Sequence, residues 1–439
     1  MKKKILLIQP SPYDRCGNPI KKQRLFFIGL AMPLLAALTP PDWEVEICLE
    51  TIESVPFSTD ADIVGIGSMG HGIIRSFDIA REFKRRGKTV ILGGYMASLV
   101  PEEAARIADA VVVGDAELVW TEVLADAVEK RLKKIYRCEL TNLTTPPPRF
   151  ELVIGKRIGD FLPVQAGRGC PMSCSFCSIH CLYRCRYLRR EPDEVMRDIE
   201  QVRQLGFRKF LLLDDNIFSD PEYLRLLCRR IAPMSMQWMS QCSIEIGRRP
   251  NLLQEIANSG CTALSFGLES LSKASLVAMN KGWSDPADYP QLISAVQSVG
   301  IDVSTEMVVG GDGDTLESIS ATADFIERSG VVLPRFYILT PIPGTDFFKQ
   351  MQKEGRLVHE ELHRYNGTEA VHKPRLITPN QLTEAYWDLY QRVFSWRSIL
   401  RRTLLNPKLA RRRRRAAFYF GINAYYRSQI LRRIAPNIL

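Results

Sequence analysis

Three closely spaced cysteines are the residues of this sequence best suited to chemistry. Cys170, Cys174 and Cys177 follow the spacing C-x3-C-x2-C in the stretch GRGCPMSCSFC at residues 167–177. In a reducing compartment, cysteines clustered on a short loop are more often metal ligands or catalytic groups than disulfide partners. Three further residues are candidate ligands close by: His180, Cys181 and Cys185. The spacing therefore predicts a metal centre on a single loop.

Two kinds of metal centre are compatible with such a loop. A structural zinc site uses four tetrahedral ligands, commonly as two pairs set apart along the chain, so one loop rarely completes it. A cubane iron–sulfur cluster has four irons, and a loop with three thiolates leaves one iron open to a ligand that is not protein. An open iron suits a cluster that must bind and reduce a substrate.

Residues 1–140 alternate strand-like and helix-like segments. Near-continuous apolar strands separated by helices indicate a parallel sheet covered on both faces. The predicted strands are residues 4–9, 44–50, 62–69, 89–94 and 110–115. Parallel sheets bind ligands beyond the carboxyl ends of their strands. At those ends this segment has three short glycine-rich stretches, GSMGHG, GGYMAS and GDAE.

The alternation of strands and helices resumes after a proline-rich boundary. Three consecutive prolines at 146–148 permit neither a helix nor a central strand, so residues 141–155 are predicted to be a stiff linker. Beyond it, six strands are predicted at residues 161–167, 209–215, 238–246, 263–270, 303–311 and 335–344. Six strand–helix units indicate a parallel sheet curled into part of a barrel, whose site lies at the carboxyl ends of the strands. The cysteine loop follows the first of these strands.

Composition and charge add two constraints. The amino terminus has an apolar run of only four residues, too short for a secretory signal, which favours an intracellular protein. The apolar run at residues 25–38 is too short to span a bilayer and is predicted to be a buried helix. The net charge of +10 belongs to the tail, because residues 397–439 contain twelve Lys and Arg and no Asp or Glu.

The cysteine spacing, with Phe176 just before the last cysteine and a six-unit barrel around it, resembles the radical S-adenosylmethionine (SAM) superfamily. Further stretches occur in family-like order: FLLLDDNIF (210–218), LSFGLESLSKASLVAMNKG (264–282), MVVGGDGDT (307–315) and LTPIPGT (339–345). The resemblance implies a [4Fe-4S] cluster held by Cys170, Cys174 and Cys177, with SAM on the open iron. One electron then cleaves SAM and leaves a 5′-deoxyadenosyl radical, which removes a hydrogen atom from an unactivated carbon.

The resemblance also implies candidate SAM-binding residues. Phe176 would contact the adenine region, and Glu245 and Glu269, near successive strand ends, are candidates for the ribose or methionine parts. The same carboxylates could instead be helix caps or salt-bridge partners. Asp214 and Asp215 lie at one strand end on opposite faces, so at most one is expected to face the site.

The amino-terminal segment resembles the cobalamin-binding domain that precedes the barrel in one subfamily of these enzymes. The resemblance rests on residues 93–117 and implies cobalamin contacts from the strand ends: Ser68, Gly93, Gly94, Gly114 and Glu117. The motif D-x-H-x-x-G, whose histidine ligates cobalt in other cobalamin proteins, is absent, because Met69 stands where the aspartate should be.

The predicted fold class is therefore α/β. A Rossmann-like, doubly wound cobalamin-binding domain (1–140) and the linker (141–155) precede a (β/α)6 partial TIM barrel (156–350). A helical region with a basic tail (351–439) completes the chain.

In this subfamily the usual reaction is transfer of a methyl group from methylcobalamin to a substrate carbon radical. The resemblance thus implies a C-methyltransferase, and the tail favours a hydrophobic, lipid or isoprenoid-like substrate. Two alternatives stay open. One is a cyclase or oxidase like the anaerobic protoporphyrin-ester cyclases. The other is a non-catalytic cobalamin or cluster sensor with a nucleic-acid-binding tail. A methylthiotransferase would need a third amino-terminal cysteine near GGYMAS, which has none.

The tail and the cluster suggest partners. Phe418, Ile422, Tyr426, Ile430 and Ile434 recur every four residues among arginines and tyrosines. This pattern is compatible with a helix on an anionic membrane surface, a helix packed on the barrel, or a nucleic-acid-binding arm, the last being the least favoured. We expect a cytoplasmic enzyme with peripheral contact to the inner membrane face. An electron donor such as flavodoxin or ferredoxin is expected to reduce the cluster.

Overall fold

The structure, a computed structural model, describes residues 3–14, 16–409 and 412–436. It divides into two compact units. The first comprises the chain up to Arg168 together with Leu188–Phe210, and the second comprises Gly169–Tyr187 and the chain from Leu211 onward. Arg411, the first arginine of the predicted basic run, lies outside the described residues. The domain bounds drawn from the sequence stay a prediction.

The first unit is built on a parallel sheet. Its strands are β1 (Lys4–Gln9), β2 (Leu25–Phe27), β3 (Glu44–Leu49), β4 (Ile63–Gly67), β5 (Thr89–Gly93), β6 (Ala110–Gly114), β7 (Ile135–Cys138) and β8 (Ile158–Gln165). Six of them form one sheet in the order β3-β1-β4-β5-β6-β7, and β2 pairs with β8 in parallel. This order, with β3 outside β1, is typical of doubly wound sheets. The central strand β1 is apolar and fully buried from Ile5 to Ile8, as expected for a sheet covered on both faces.

Helices cover this sheet and lead away from the carboxyl ends of its strands. They are α1 (Ala31–Leu38), α2 (Ile73–Arg85), α3 (Tyr95–Leu99), α4 (Pro101–Ile107) and α5 (Trp120–Val128). The proline that begins α4 lies in the first turn, where its missing N–H costs no hydrogen bond. The predicted buried helix at 25–38 is correct only from Ala31, because residues 25–27 form β2 instead.

Two short strands and two helices bridge the sequence between β8 and the next long strand. They are β9 (Gly167–Gly169), α6 (Ser178–Tyr183), β10 (Tyr187–Arg189) and α7 (Pro192–Gln204). The cysteine loop runs from β9 to α6, and β9 pairs with β10.

The second unit contains a curled parallel sheet. Its strands are β11 (Lys209–Leu213), β12 (Gln237–Cys242), β13 (Cys261–Glu269), β14 (Asp302–Val309) and β15 (Leu333–Ile338), and they lie side by side in chain order. The helices are α8 (Pro221–Ile231), α9 (Pro250–Asn258), α10 (Lys273–Ala278), α11 (Tyr289–Ser298), α12 (Leu316–Ser329), α13 (Asp346–Lys353), α14 (Pro379–Val393), α15 (Trp396–Arg402) and α16 (Arg413–Ile430). This α/β arrangement agrees with the predicted partial barrel.

The two faces of this sheet differ in chemistry because side chains alternate along a strand. One face is apolar and buried, as Trp238, Leu264 and Phe266 are fully out of solvent. The opposite face is polar: Arg335 forms an ion pair with Glu306, its register partner on the neighbouring strand. A polar inner face is a place where a ligand can be held by hydrogen bonds.

Helix α16 packs on the second unit by one face. Its buried residues are Ala416, Tyr419, Asn423, Tyr426 and Ile430, which recur every three or four residues along one side of a helix. The predicted stripe with a spacing of four is wrong in part, because Phe418 is exposed while Tyr426 and Ile430 are buried, so these residues do not share one face. Four is longer than the 3.6 residues of a helical turn, so that stripe drifts around the helix.

Polar side chains of α16 bind it to residues at the starts of neighbouring strands. Arg415 forms an ion pair with buried Asp302, and Asn423 donates to the carbonyl of Val332 at 2.9 Å. Among the described residues, no helix is both long and apolar enough to cross a bilayer.

Candidate active site: a three-cysteine loop beside a buried ion pair

The cysteine loop is fixed to the second unit by backbone and amide hydrogen bonds. The amide of Asn280 donates to the carbonyl of Ser173 at 2.7 Å and to its hydroxyl at 2.8 Å. The backbone N–H of Ser175 donates to the carbonyl of Met279 at 3.0 Å. The N–H of Phe347 in turn donates to the carbonyl of Ser175 at 2.9 Å. Two sequence-distant segments, at residues 279–280 and at Phe347, therefore hold the loop in place.

All three cysteines are free thiols shielded from water. Cys174 is buried, and Cys170 and Cys177 are half-buried. Burial raises the pKa of all three thiols, that of Cys174 to about 12. Such thiols ionise only when a positive charge lies beside them, and metal ligation supplies it.

The thiols are not arranged around one ion. Within the part of the chain that the structure describes, no three His, Cys, Asp or Glu side chains are placed to hold a single metal ion. Each thiolate of a cubane binds a different iron, so a cluster does not require the three sulfurs to meet at one point. The donor set of three thiols on one loop fits a [4Fe-4S] cluster.

The end of β11 supports this loop. The side chain of Asp215 accepts a hydrogen bond from the N–H of Gly169 at 2.6 Å, just before the first cysteine. Asp214 has a different partner and accepts a hydrogen bond from the hydroxyl of Tyr187 at 2.8 Å; that at most one of the two carboxylates faces the site stays a prediction. Burial raises the pKa of Asp214 to about 7. The side chain of Asn216 is hydrogen-bonded to the Cys170 thiol.

A buried ion pair lies beside the cysteines. The ammonium of Lys281 donates to the carboxylate of Glu269 at 2.7 Å and to the carbonyl of Gly267 at 2.8 Å. Burial is the largest single influence on Lys281 and lowers its pKa, but the charge and hydrogen bond of Glu269, together with nearby Cys174 and Tyr289, outweigh it and the pKa is raised. The same ammonium charge acts on the Cys174 thiol and lowers its pKa in part. A fixed positive charge therefore lies next to the predicted cluster.

Glu269 has a backbone conformation that few side chains adopt. It is the last residue of β13 and has φ of 63°, in the left-handed region. Such strain is maintained where the surrounding structure requires a particular side-chain direction, and it is frequent at functional sites. Here the conformation directs the carboxylate toward Lys281.

Glu245 has a buried oxygen that lacks a partner. It lies in the short helical turn Ile244–Arg248 after β12, rather than in the strand that the sequence predicted. One carboxylate oxygen accepts from Arg248 at 2.7 Å. The other is buried and has no hydrogen-bond partner among the described residues. A buried acceptor without a donor fits a ligand hydroxyl, as the proposed ribose contact requires.

The other cysteines and Phe176 have less specific surroundings. Phe176 is half-buried next to Cys177, and its contact with adenine stays a prediction. The Cys181 thiol lies 3.2 Å from the carbonyl of Gly344, and the exposed Cys185 thiol lies 3.4 Å from Nδ1 of His180. Whether Cys181, Cys185 or His180 serves as a further ligand stays a prediction.

In the first unit, the glycines predicted to contact cobalamin lie at strand ends where a side chain would not fit. Gly94 has φ of 93°, and a Cβ there would come within 2.4 Å of the carbonyl oxygen of Ser68. Gly114 has φ of 85°, and its Cβ would come within 2.2 Å of the carbonyl oxygen of Cys138. Neighbouring strand ends therefore pack closely at both glycines, and the absence of bulky side chains at these two positions is compatible with a ligand as large as cobalamin.

Ser68 and Glu117, the two other residues predicted to contact cobalamin, form hydrogen bonds or ion pairs with neighbouring protein groups. The hydroxyl of Ser68 donates to the carbonyl of Gly93 and accepts from the N–H of Ala97, both at 3.0 Å. Glu117 forms an ion pair with Arg168 at 2.7 Å. Their contact with cobalamin stays a prediction, and the structure assigns both residues a role in holding the loops.

Lys281, Asn280 and Asn216 were missed by the sequence analysis. All three lie in stretches that the resemblance singled out, namely AMNKG after β13 and DDNIF after β11. For Lys281, the sequence offered one indication: a positively charged residue two positions after Met279, where α10 ends, in a stretch to which no role had been assigned. Its importance depends on burial, which the sequence does not give.

Comparison with known proteins agrees with this site. The family model described as the radical SAM superfamily matches residues 164–326. The chain is 29% identical to the bacteriochlorophyllide d C-8(2)-methyltransferase of Chlorobaculum tepidum, over 86% of this chain and 88% of that protein. It is also 29% identical to the bacteriochlorophyllide d C-12(1)-methyltransferase of the same organism, over 92% of this chain and 90% of that protein. It is 24% identical to the hopanoid C-2 methylase of Rhodopseudomonas palustris, over 84% and 71%.

Solved structures extend the comparison to the fold. The cobalamin-dependent radical SAM enzyme OxsB, solved with aqua-cobalamin and SAM, superposes with a TM-score of 0.68. The match covers 97% of this chain and 72% of the OxsB chain, with 12% sequence identity. The methyltransferase TsrM from Kitasatospora setae, solved with cobalamin and a [4Fe-4S] cluster, superposes with a TM-score of 0.64. The match has 18% sequence identity and covers 81% of this chain and 75% of the TsrM chain. Residues 164–326 thus match the radical SAM superfamily, and the chain shares the fold of the solved cobalamin-dependent enzymes OxsB and TsrM.

Proposed function

We propose that this protein is a cobalamin-dependent radical SAM C-methyltransferase that methylates an unactivated carbon of a hydrophobic substrate. The observation that carries the proposal is the three-cysteine loop beside the buried pair of Glu269 and Lys281. When bound, the cluster supplies the electron that cleaves SAM, and cobalamin supplies the methyl group. The chain's own residues hold these groups, exclude water and fix their distances.

The individual roles follow from the site. Cys170, Cys174 and Cys177 would ligate three irons, and Asp215 would hold the loop that carries them. The free oxygen of Glu245 would accept a hydrogen bond from a ribose hydroxyl of SAM. Lys281 would place a positive charge next to the cluster, where the carboxylate of SAM can also lie.

The first unit would bind cobalamin at the carboxyl ends of β4, β5 and β6. The glycine contacts there support this placement, since the backbone at Gly94 and Gly114 leaves no room for side chains. In this proposal a cobalamin-binding domain (1–140) precedes the partial barrel (156–350), as the sequence predicted.

A cyclic tetrapyrrole is the hydrophobic substrate to test first. The two relatives at 29% identity are both named as bacteriochlorophyllide methyltransferases, and each spans most of this chain. A polycyclic lipid is the second candidate, because the hopanoid methylase is more distant, at 24% identity.

The test is a reaction of the anaerobically reconstituted, reduced protein with cobalamin, bacteriochlorophyllide d and SAM carrying a deuterated methyl group. We expect 5′-deoxyadenosine, S-adenosylhomocysteine and a product heavier by one deuterated methyl group. Cys174→Ala should abolish all three, while Cys228→Ala, at a buried cysteine far from the loop in sequence, should keep them.

Other outcomes would select another function. Formation of 5′-deoxyadenosine with an oxidised or cyclised product and no methyl transfer would identify a cyclase. Absence of 5′-deoxyadenosine from a protein with a full cluster would favour the sensor and contradict this proposal.

Partners follow from the same chemistry. A low-potential donor such as flavodoxin or ferredoxin would reduce the cluster, and a reducing cytoplasm would preserve it. We expect no nucleic-acid partner.

A further inference from the structure

Helix α16 has an exposed side that the second unit does not use. This side, together with the turn that follows it, comprises the outer face, defined as Arg413, Arg414, Phe418, Tyr425, Leu431 and Arg432. Phe418 and Tyr425 are seven residues apart, two helical turns, and therefore lie on the same side of the helix. Phe418 is 53% exposed, Tyr425 48% and Leu431 61%. The outer face therefore presents large apolar side chains to solvent.

Exposed apolar side chains are frequent in the part of the chain that contains this face. Among the described residues, six of the fifteen large hydrophobic side chains classed as exposed lie beyond residue 395. They are Trp396, Leu404, Leu405, Phe418, Tyr425 and Leu431. Single exposed hydrophobics need no explanation, but large apolar side chains that share one side of a helix, as Phe418 and Tyr425 do, mark an interaction surface.

The charges of the outer face are uncompensated. Arginines of the tail that face the fold have partners: Arg415 pairs with Asp302, and Arg433 pairs with Glu384. Arg413, Arg414 and Arg432 are exposed and form no ion pair with any residue that the structure describes. The positive charges of these three arginines are therefore available to an anionic partner.

We propose that the outer face binds the surface of an anionic phospholipid membrane. Arginines would lie against lipid phosphates, and Phe418, Tyr425 and Leu431 would enter the headgroup region, where aromatic and apolar side chains are favoured. The opposite face is fixed on the barrel, so the helix would lie flat on the membrane. Leucine and phenylalanine between the arginines favour lipid over RNA, which offers phosphates and bases but no hydrocarbon. This inference does not depend on the proposed reaction.

The test is flotation of the full-length, cluster-loaded protein with vesicles of phosphatidylcholine alone or mixed equally with phosphatidylglycerol. We expect binding to the anionic vesicles at 50 mM NaCl and at least tenfold weaker binding to the neutral ones. Salt screens the charged contacts but not the apolar ones, so at 500 mM NaCl a weaker, residual binding should remain.

Two sets of variants separate the contributions. Arg413→Gln, Arg414→Gln and Arg432→Gln together should reduce binding at 50 mM NaCl at least tenfold. Phe418→Ser with Tyr425→Ser should remove the residual binding at 500 mM NaCl. The matched controls are Arg106→Gln with Arg137→Gln and Arg208→Gln, and Phe26→Ser, whose side chain is 51% exposed in the first unit. These controls should bind like the unchanged protein.

Two results would overturn the proposal. The first is equal binding of the arginine variant and the unchanged protein to anionic vesicles. The second is no vesicle binding by the unchanged protein together with binding of a single-stranded RNA of 20 nucleotides, which would assign the face to nucleic acid. Iron content and the unfolding midpoint of each variant establish that it is folded.

Discussion

Glu269 and Lys281 are an ion pair almost out of reach of water, with side-chain exposures of 11% and 9%. Removing one member of such a pair leaves an unpaired buried charge, which costs about 3–5 kcal/mol. We therefore expect Lys281→Met to lower the free energy of unfolding by about that amount. Urea denaturation of the cluster-free protein measures the loss.

A double variant separates stability from ligand binding. In Lys281→Met with Glu269→Gln no charge is left unpaired, so most of the lost stability should return. If the pair also serves SAM, the dissociation constant for SAM should still rise at least tenfold in the cluster-loaded double variant. Recovery of both stability and SAM affinity would show that the pair is only structural.

His372 gives a prediction on pH dependence. It is fully buried, its Nε2 lies 3.0 Å from the carbonyl oxygen of Gly310, and burial lowers its pKa to about 4. The nearby charges, Arg356 and Asp312, oppose each other. Because the unfolded chain binds the proton more readily, stability falls as the pH drops below about 6.5 and continues to fall until about 4.

The size of this effect is testable by urea denaturation at pH 7.5 and pH 5.0. We expect His372 to account for about 2 kcal/mol of the loss in unfolding free energy between these values. In His372→Gln, which keeps a donor for Gly310, the loss should be smaller by that amount. An identical loss in both proteins would place the pH sensitivity elsewhere.

At the residue scale, the sequence predicted the cysteine loop better than its surroundings. The spacing of Cys170, Cys174 and Cys177 is a local property, so it was sufficient to predict one loop with three thiols. Lys281 lies more than a hundred residues along the chain from those cysteines, and its burial beside Cys174 arises from tertiary packing. The side-chain partners of Ser68 and Glu117 were unpredictable for the same reason.

At the scale of elements, the glycine loops of the first unit make a sharp prediction. Gly94→Ala would place a Cβ 2.4 Å from a backbone oxygen of Ser68, at a positive φ that disfavours side chains. We expect a loss of about 2 kcal/mol or more in unfolding free energy and less bound cobalamin after reconstitution. Visible absorbance of the desalted protein measures the cobalamin.

Gly72→Ala is the matched control for this loop. A Cβ at Gly72 meets no atom within 4 Å, and its φ is in the ordinary range. It should retain both stability and cobalamin. Normal cobalamin content in Gly94→Ala would mean that the backbone at this strand end is not where the ligand approaches.

Strands formed by an apolar run between two turns were predictable from the sequence. Short strands, and strands at the edge of a sheet, were not. The predicted strands of the second unit match β11 to β15 to within a few residues at their starts, because each is an apolar run bounded by turns. The short strand β2 was missed, since residues 25–27 continue an apolar run that also forms α1. The carboxyl end of β12 was placed too late, because the turn at residues 244–248 is as apolar as the strand.

At the scale of the whole molecule, the basic tail has two different parts. One set of arginines stabilises the fold: Arg402 is fully buried and donates to backbone carbonyls of Val331 and Val393 and to the side chain of Asn423. The exposed arginines of the outer face have no such role. Net charge therefore did not predict function by itself, because burial decides which charges are available to a partner.

This division predicts that deletion of the tail is a poor test of membrane binding. Removing residues 412–439 takes away the buried side chains of Tyr419, Tyr426 and Ile430, each of which contributes about 1.5–3 kcal/mol by burial. It also leaves buried Asp302 without Arg415. We expect the truncated protein to unfold at a clearly lower temperature and to be largely insoluble, whereas the triple arginine variant of the outer face should unfold within about 2 °C of the unchanged protein. A truncated protein with unchanged unfolding temperature and full cluster content would show that α16 is an appendage, and would contradict the packing role derived for its buried face.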